Sequence, residues 1–189
     1  VGALRAAEWI AAHRGRSASP DADAACRAAA AHIAAARRLL RGTRDWQADR
    51  GALQARMSRF GGLLREAERI GAAVDEARGL YAAICREGYP ASAGDRGLDN
   101  RQLALAHWVY LSAIDFQIAS GVGSRGSAWV LQRGRPLAED AAFRERVLET
   151  RFDGRSVRHR WVPRRPIPAA NDGWFETIWA EFQSGAIYR

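Results

Sequence analysis

Lysine is missing from this chain of 189 residues, so all 29 of its basic residues are arginine. Against 21 acidic residues they leave a net charge of +8. One-sided arginine usage beside abundant alanine is the habit of a GC-rich coding sequence, so the charge alone is weak evidence of a binding surface. Cysteine is nearly absent, and Cys26 and Cys85 are far apart in alanine-rich stretches. That pattern excludes a disulfide scaffold and reads as two small buried thiols in a reducing, cytoplasmic compartment. No run of eighteen apolar residues occurs, which excludes a helix that spans a membrane. The chain opens at Val1 without a basic and hydrophobic leader, and is expected to be a piece cut from, or paired with, something longer.

Chemistry-bearing patterns are equally sparse. His13 and His32 have no acid, cysteine or second histidine at a metal-ligand spacing, so no metal site is expected. His107 lies on the most apolar helix and reads as a satisfied core or interface residue, and His159, among arginines, reads as solvated. Neither cysteine has the helix-initiating or glycine-rich context that activates a thiol. The run Gly121-Val122-Gly123-Ser124-Arg125-Gly126 has the glycines of a dinucleotide fingerprint but follows a helix instead of a strand, which makes the match accidental.

What is present is the composition of a globular domain, 48% hydrophobic and 26% charged. A chain of this length buries roughly 70% of its unfolded surface. Helical spacing predicts a first helix to His13, ended at Gly15, and a second from Ser19-Pro20-Asp21 to about Leu40. A third is predicted over 49–59 and, after Gly61-Gly62, a fourth over 64–85 with Ile70, Val74 or Ala73, Ala77, Tyr81 and Ile84 on one face. Residues 88–97 read as a loop. The helix 98–120 is apolar on several faces, with Leu103, Ala106 and Tyr110 on one stripe, and is expected to lie centrally.

Beyond Gly123 the pattern changes. Residues 128–131 read as a strand, 139–146 as a brief helix, and Val147–Phe152 and Val157–Val162 as a hairpin about Asp153-Gly154. Three prolines then force an extended crossing to a last helix, capped by Asn171 or Asp172, bearing Trp174, Phe175, Ile178, Trp179 and Phe182, and closed by Gly185. The fold class expected is mainly α: a helical bundle with a small C-terminal α+β extension containing a β-hairpin. From Arg155 to Arg165 five arginines surround Trp161 and meet no acid in sequence, a stretch suited to an acidic partner surface or phosphate.

Three stretches together resemble the carboxy-terminal part of FAD-dependent oxidoreductases of the fumarate reductase and succinate dehydrogenase flavoprotein superfamily. The opening Val1-Gly2-Ala3-Leu4-Arg5-Ala6-Ala7-Glu8-Trp9-Ile10 is similar to the helix that closes their flavin-binding domain. Leu53-Gln54, Met57, Gly62 and Arg65 resemble the opening of their helical domain. Leu98, Asn100, Leu103 and Ala106 followed by Ser124-Arg125-Gly126 resemble the long helix and turn that end it. Here Ser127-Ala128 follows, where respiratory members continue with Ala-His, which speaks against quinone-linked function and an iron-sulfur partner subunit.

The resemblance implies a division into 1–15, the closing helix of a flavin-binding domain, 16–122, a helical bundle domain, and 123–189, an extension with hairpin and terminal helix. It implies FAD in the parent protein and a flavin-binding domain or subunit as partner. It places the flavin contacts and the substrate-handling arginines and histidines upstream, so catalytic, cofactor-binding and metal residues in this chain are expected to be none, and the chain alone inactive. Arg65 and Arg125 present planar forks either for carboxylates or carbonyls of a neighbouring domain or for helix-terminal hydrogen bonds within the bundle, and with Trp161, Arg164 and Arg165 form the expected docking set. The competing expectations are a non-enzymatic helical scaffold or interaction module and, disfavoured because acids interleave the arginines, an arginine-rich nucleic-acid binder.

Overall fold

Helices account for most of the described residues, as apolar side chains recurring every three to four positions require. The structure is a computed structural model and describes residues 2–13, 21–126, 128–164 and 174–186. Its elements run α1 (Gly2–His13), α2 (Ala22–Leu39), α3 (Trp46–Phe60), β1 (Leu64–Glu66), α4 (Ile70–Glu87), α5 (Gly94–Ala119), β2 (Trp129–Leu131), β3 (Arg146–Phe152), β4 (Val157–Pro163) and α6 (Trp174–Ser184). The architecture is mainly α with a small β extension, and no described helix is long and apolar enough to cross a membrane. By contacts the chain divides into two units, Val1–Ala29 with Arg165–Arg189, and Ala30–Arg164.

In the first unit the Trp9 ring stacks on His13 one turn later, with centroids 4.4 Å apart. Trp9 and Ile10 are exposed and give α1 an uncovered apolar face, although the Leu4 side chain lies outside the described residues. Ser19 and Pro20 also lie outside, while Asp21 beside them accepts the Ala24 N–H at 2.9 Å. Helix α6 stops where Gly185 takes φ 73°. Its expected caps Asn171 and Asp172, and the side chains of Trp174 and Phe175, are outside the described residues.

The second unit is built around α5, which packs on α3, α4, β3 and β4. Its buried stripe is Asn100, Ala104, His107, Leu111 and Ile114, at helical spacing and with two polar members. Leu103 and Tyr110, read from the sequence as one apolar face, are exposed instead, because the neighbouring helices cover the opposite side. One core cluster joins Leu39, Leu53, Ile84, Tyr89, Ala93 and Ala104, and a second joins Ile70, Ala73, Ala77, Trp108, Leu111 and Ile114. Tyr81 and Phe152 extend the second cluster, with Phe152 edge-on to the Trp108 ring at 5.6 Å.

Several boundaries differ from the sequence reading for identifiable reasons. Helix α3 starts at Trp46, earlier than expected, since the Asp45 carboxylate caps it through the N–H groups of Gln47 and Ala48. Residues 64–66, read as the start of a helix, form a strand parallel to β2, with Leu64, Arg65 and Glu66 opposite Trp129, Val130 and Leu131. Helix α4 begins only at Ile70 after a turn. The expected loop 88–97 shrinks to one 3-10 turn at Ala91–Ala93, and the brief helix over 139–146 to another at Ala141–Phe143. The hairpin is present in full, antiparallel from Arg146 opposite Pro163 to Phe152 opposite Val157. Both cysteines are free and exposed, not buried, since each lies on the outward face of its helix.

Candidate functional site

The end of α5 and the segment after it assemble one wall of a cleft in the second unit. Helix α5 closes at Ser120, and Gly121 and Gly123 turn the chain with φ 80° and 74°. A Cβ on Gly123 would lie 2.1 Å from the Ala138 carbonyl oxygen, so this close approach needs glycine. The Ser124 hydroxyl accepts the Val130 N–H at 3.0 Å, tying the turn to β2. Arg125 and Ala128 exchange backbone hydrogen bonds across Gly126, whose φ of 62° closes the turn. The six-residue glycine run is therefore a loop that leaves a helix and enters a strand, the reverse of a nucleotide-binding strand-turn-helix.

Hairpin β3–β4 forms another wall. Trp161 donates from Nε1 to the Ser120 hydroxyl at 3.0 Å and packs on Phe143 at 4.8 Å between ring centroids. Arg65, on the face of β1 opposite Leu64, donates from Nε to the Gly62 carbonyl at 3.4 Å and from Nη1 to Gln117 Oε1 at 3.5 Å. Both contacts are long, and burial lowers the Arg65 pKa. Arg125 donates from Nη1 to the Phe143 carbonyl at 2.6 Å, which fixes its guanidinium plane. With Arg146 from β3 these groups line one cleft of about 450 Å³, walled by Ile118, Val122, Val130 and Leu148.

Of the expected docking residues, Arg65, Arg125 and Trp161 are brought together at this cleft. Arg164 is elsewhere, held by Glu145 through Nε and Nη2, both at 2.9 Å. Arg165 lies outside the described residues. The run that meets no acid in sequence meets acids in the fold: Arg158 pairs with Asp153 at 3.0 Å and Arg160 with Glu149 at 2.6 Å. Strand pairing supplies these partners and leaves less free positive charge for phosphate than the sequence implies. Arg146 was not singled out from the sequence, and only its pairing opposite Pro163 brings it to the cleft.

A second constellation surrounds His159, which is half-buried and not solvated. Its Nε2 lies 2.8 Å from the Ser112 hydroxyl and its Nδ1 2.9 Å from the Thr150 hydroxyl, with Phe116 stacked on the ring at 5.0 Å. Burial lowers its pKa, with the nearby Asp115 carboxylate acting against that shift. A hydroxyl on a histidine meets the first requirement of nucleophilic catalysis. The second is lacking, because Ser112 sits within α5, where the backbone N–H groups that would stabilise an oxyanion are already bonded in the helix. These contacts join the hairpin to α5. Among the described residues no group of His, Cys, Asp and Glu is arranged to hold a metal ion.

No protein-family model and no curated protein matches the chain. Comparison with solved structures finds FrdA of Escherichia coli quinol fumarate reductase, in a point-mutated form, at a TM-score of 0.59 and 18% identity. The match covers 82% of this chain and 28% of that one, so the chain spans little more than a quarter of the protein it resembles. At this identity the likeness is one of fold: most of these 189 residues adopt the fold of a segment of FrdA.

Proposed function

We propose that this chain is the helical and C-terminal portion of an FAD-dependent oxidoreductase, which packs on and completes a flavin-binding portion. The observation that carries the reading is the fold shared with a segment of FrdA, a subunit of a redox enzyme. The division into a closing helix at 1–15, a bundle over 16–122 and an extension over 123–189 belongs to the same proposal.

Among the described residues the glycine-rich turn after α5 does not fit FAD. The glycine-rich turn that would take a pyrophosphate stands at the exit of α5, not at the entry of a helix, and its Ser124 hydroxyl is already bonded to β2. No redox step is therefore assigned to this chain, and FAD belongs to the portion it packs against.

Uncovered apolar surface supports such a contact. Parallel strands are ordinarily covered on both faces. Here Leu64 and Trp129, paired across β1 and β2, are about half exposed (51% and 53%), and Leu131 beside them is exposed as well. The α1 face at Trp9 and Ile10 is a further apolar surface. In this reading the sheet face supplies the apolar part of the docking surface. Arg65, Arg125 and Trp161 enclose a cleft and do not project from the surface.

The test is isolation of the polypeptide from its native source. Retention of flavin absorbance through purification, either in one longer chain or in a tight complex, is the expected result. Stoichiometric FAD binding and acceptor reduction by these 189 residues alone, or a native chain isolated without any flavin-bearing partner, would overturn the proposal.

A further inference from the structure

We infer that the cleft lined by Arg65, Arg125 and Arg146 is a binding site for the carboxylate of a small organic acid with an apolar body. The inference concerns residues of this chain alone and holds whether or not a flavin-bearing portion packs on it.

Charge pairing elsewhere gives the first argument. Arg44, Arg56, Arg69, Arg86, Arg144 and Arg164 each hold a carboxylate within ion-pair distance. Among the described residues none of the three cleft arginines does, and no aspartate or glutamate lines the cleft. Three cations thus share one concavity without an internal anion, in a chain whose acids neutralise so many of its other arginines. Field lines from the three converge there, and low-dielectric walls strengthen them.

The second argument is the state of Arg65. Its long contacts to Gly62 and Gln117 are neutral and poorly placed to offset the cost of withdrawing a guanidinium from water. A carboxylate accepting from its fork would offset that cost through two short, charge-assisted bonds. Arg125 is already anchored by the Phe143 carbonyl, so little further ordering is needed for its remaining N–H groups to meet the same anion.

The walls define the rest of the ligand. Ile118, Val122, Val130, Leu148 and the Trp161 ring offer apolar surface beside the charged end. This combination, a few convergent donors in an otherwise apolar cleft, selects an amphipathic acid over a strongly hydrated inorganic anion. A volume of about 450 Å³ accommodates a one-ring carboxylic acid.

The test is titration of the full 189-residue chain with sodium benzoate, followed by the arginine Nε–H resonances. Benzamide, which keeps the ring and lacks the charge, and inorganic phosphate, which keeps charge and lacks the ring, are the comparison probes. Saturable shifts of the Arg65 and Arg125 signals with benzoate are expected, with at least tenfold weaker responses to both comparison probes. Arg65→Gln should weaken benzoate binding about tenfold, the effect of losing one charge-assisted pair. Arg146→Gln, an exposed strand position that leaves the fold intact, should weaken it about threefold. No saturable shift, equal binding of benzamide or phosphate, or undiminished binding in Arg146→Gln would each overturn the assignment.

Discussion

Arg44 grips Asp49 through two parallel hydrogen bonds, Nε to Oδ2 at 2.8 Å and Nη2 to Oδ1 at 2.7 Å. The same carboxylate accepts the Tyr89 hydroxyl at 2.9 Å, and Arg44 reaches Glu87 with its third nitrogen at 2.6 Å. Asp49 thereby connects the start of α3 to the segment after α4. These partners raise the Arg44 pKa, while burial and the bond to Asp49 raise that of Tyr89. Removing one partner of such a pair is strongly destabilising, because the other charge is left buried and uncompensated.

Asp49→Ala should therefore lower the unfolding free energy by about 3 kcal/mol, the cost of leaving a partly buried guanidinium and the buried Tyr89 hydroxyl short of an acceptor. Glu87→Ala, on the exposed side of Arg44, should cost well under that. Urea unfolding of the two variants separates the cases, and equal effects would mean that Asp49 is no more than a surface partner.

The close crossing of α2's end and α4's end gives a second test. Tyr89 N–H donates to the Leu39 carbonyl at 2.7 Å and Gly42 N–H to the Tyr89 carbonyl at 2.8 Å. Gly88 holds φ 65°, and a Cβ there would lie 2.3 Å from the Leu39 carbonyl oxygen. Gly134 has a similar φ of 74° but open space around it. Gly134→Ala should cost about 1–2 kcal/mol, the ordinary left-handed penalty, and Gly88→Ala distinctly more. Thermal unfolding of both variants measures the difference, which combines the clash with the Leu39 carbonyl and the strain of the Gly88 backbone at φ 65°, ψ −175°.

Which of these features the sequence discloses follows from how local their causes are. The hairpin about Asp153-Gly154 was legible because its turn residues and flanking strands are adjacent. The strand Leu64–Glu66 was not: its apolar spacing continues that of the following helix, and what makes it a strand is pairing with Val130, far along the chain. Arg65, Arg125 and Trp161 stood out as arginines and an aromatic beside turns, yet their common cleft depends on the same long-range pairing. Glu145 and Glu149 became partners of Arg164 and Arg160 only when the hairpin aligned them. The outward exposure of Cys26 and Cys85 was hidden for a simpler reason, since alanine on every side of a helix does not mark which face is buried.

His107 is 2% exposed, and neither ring nitrogen has a hydrogen-bond partner. Burial, with a smaller repulsion from Arg56, lowers its pKa to about 4. The folded state thus keeps the ring neutral while the unfolded chain binds a proton near pH 6.5. As pH falls from 6.5 towards 4 the unfolded state takes up the extra proton, so stability falls, by up to about 3 kcal/mol in all. His159 acts in the same direction, with its pKa also lowered by burial. His107→Leu should remove the larger part of the loss in this window and hold stability at pH 7 or raise it. Unfolding curves between pH 4 and 7 for both proteins check this, and an unchanged slope would show that another group carries it.

The turn of the hairpin predicts acid sensitivity at lower pH. Asp153 accepts from the N–H groups of Arg155 and Ser156 at 3.0 and 2.8 Å and from the Ser156 hydroxyl at 3.0 Å. These bonds lower its pKa to about 2. Because the folded value is the depressed one, the contribution is complete above the unfolded value near 3.9 and fades as pH falls through about 2. The protection of the Arg155 and Ser156 amides, read as exchange relative to the intrinsic rate at each pH, should fall over that interval, and Asp153→Ala should show the low protection at every pH.

The face of the β1–β2 pair yields the last prediction. Leu64 and Trp129 are register partners and Leu131, two residues on from Trp129, shares their face, so an apolar strip stands uncovered on two short strands. Neither side chain belongs to a core cluster, and replacing them removes little packing. The double variant Leu64→Thr, Trp129→Thr should therefore keep unfolding free energy within about 0.5 kcal/mol of the parent, as surface changes do. Loss of an apolar contact surface has a different signature. The parent chain alone should self-associate with rising concentration and the variant should not, as read by sedimentation. A flavin-bearing portion, once isolated, should bind the parent and reject the variant. If both chains remain monomeric and bind that portion equally, the strip is ordinary surface and the docking face must be sought on α1, at Trp9 and Ile10.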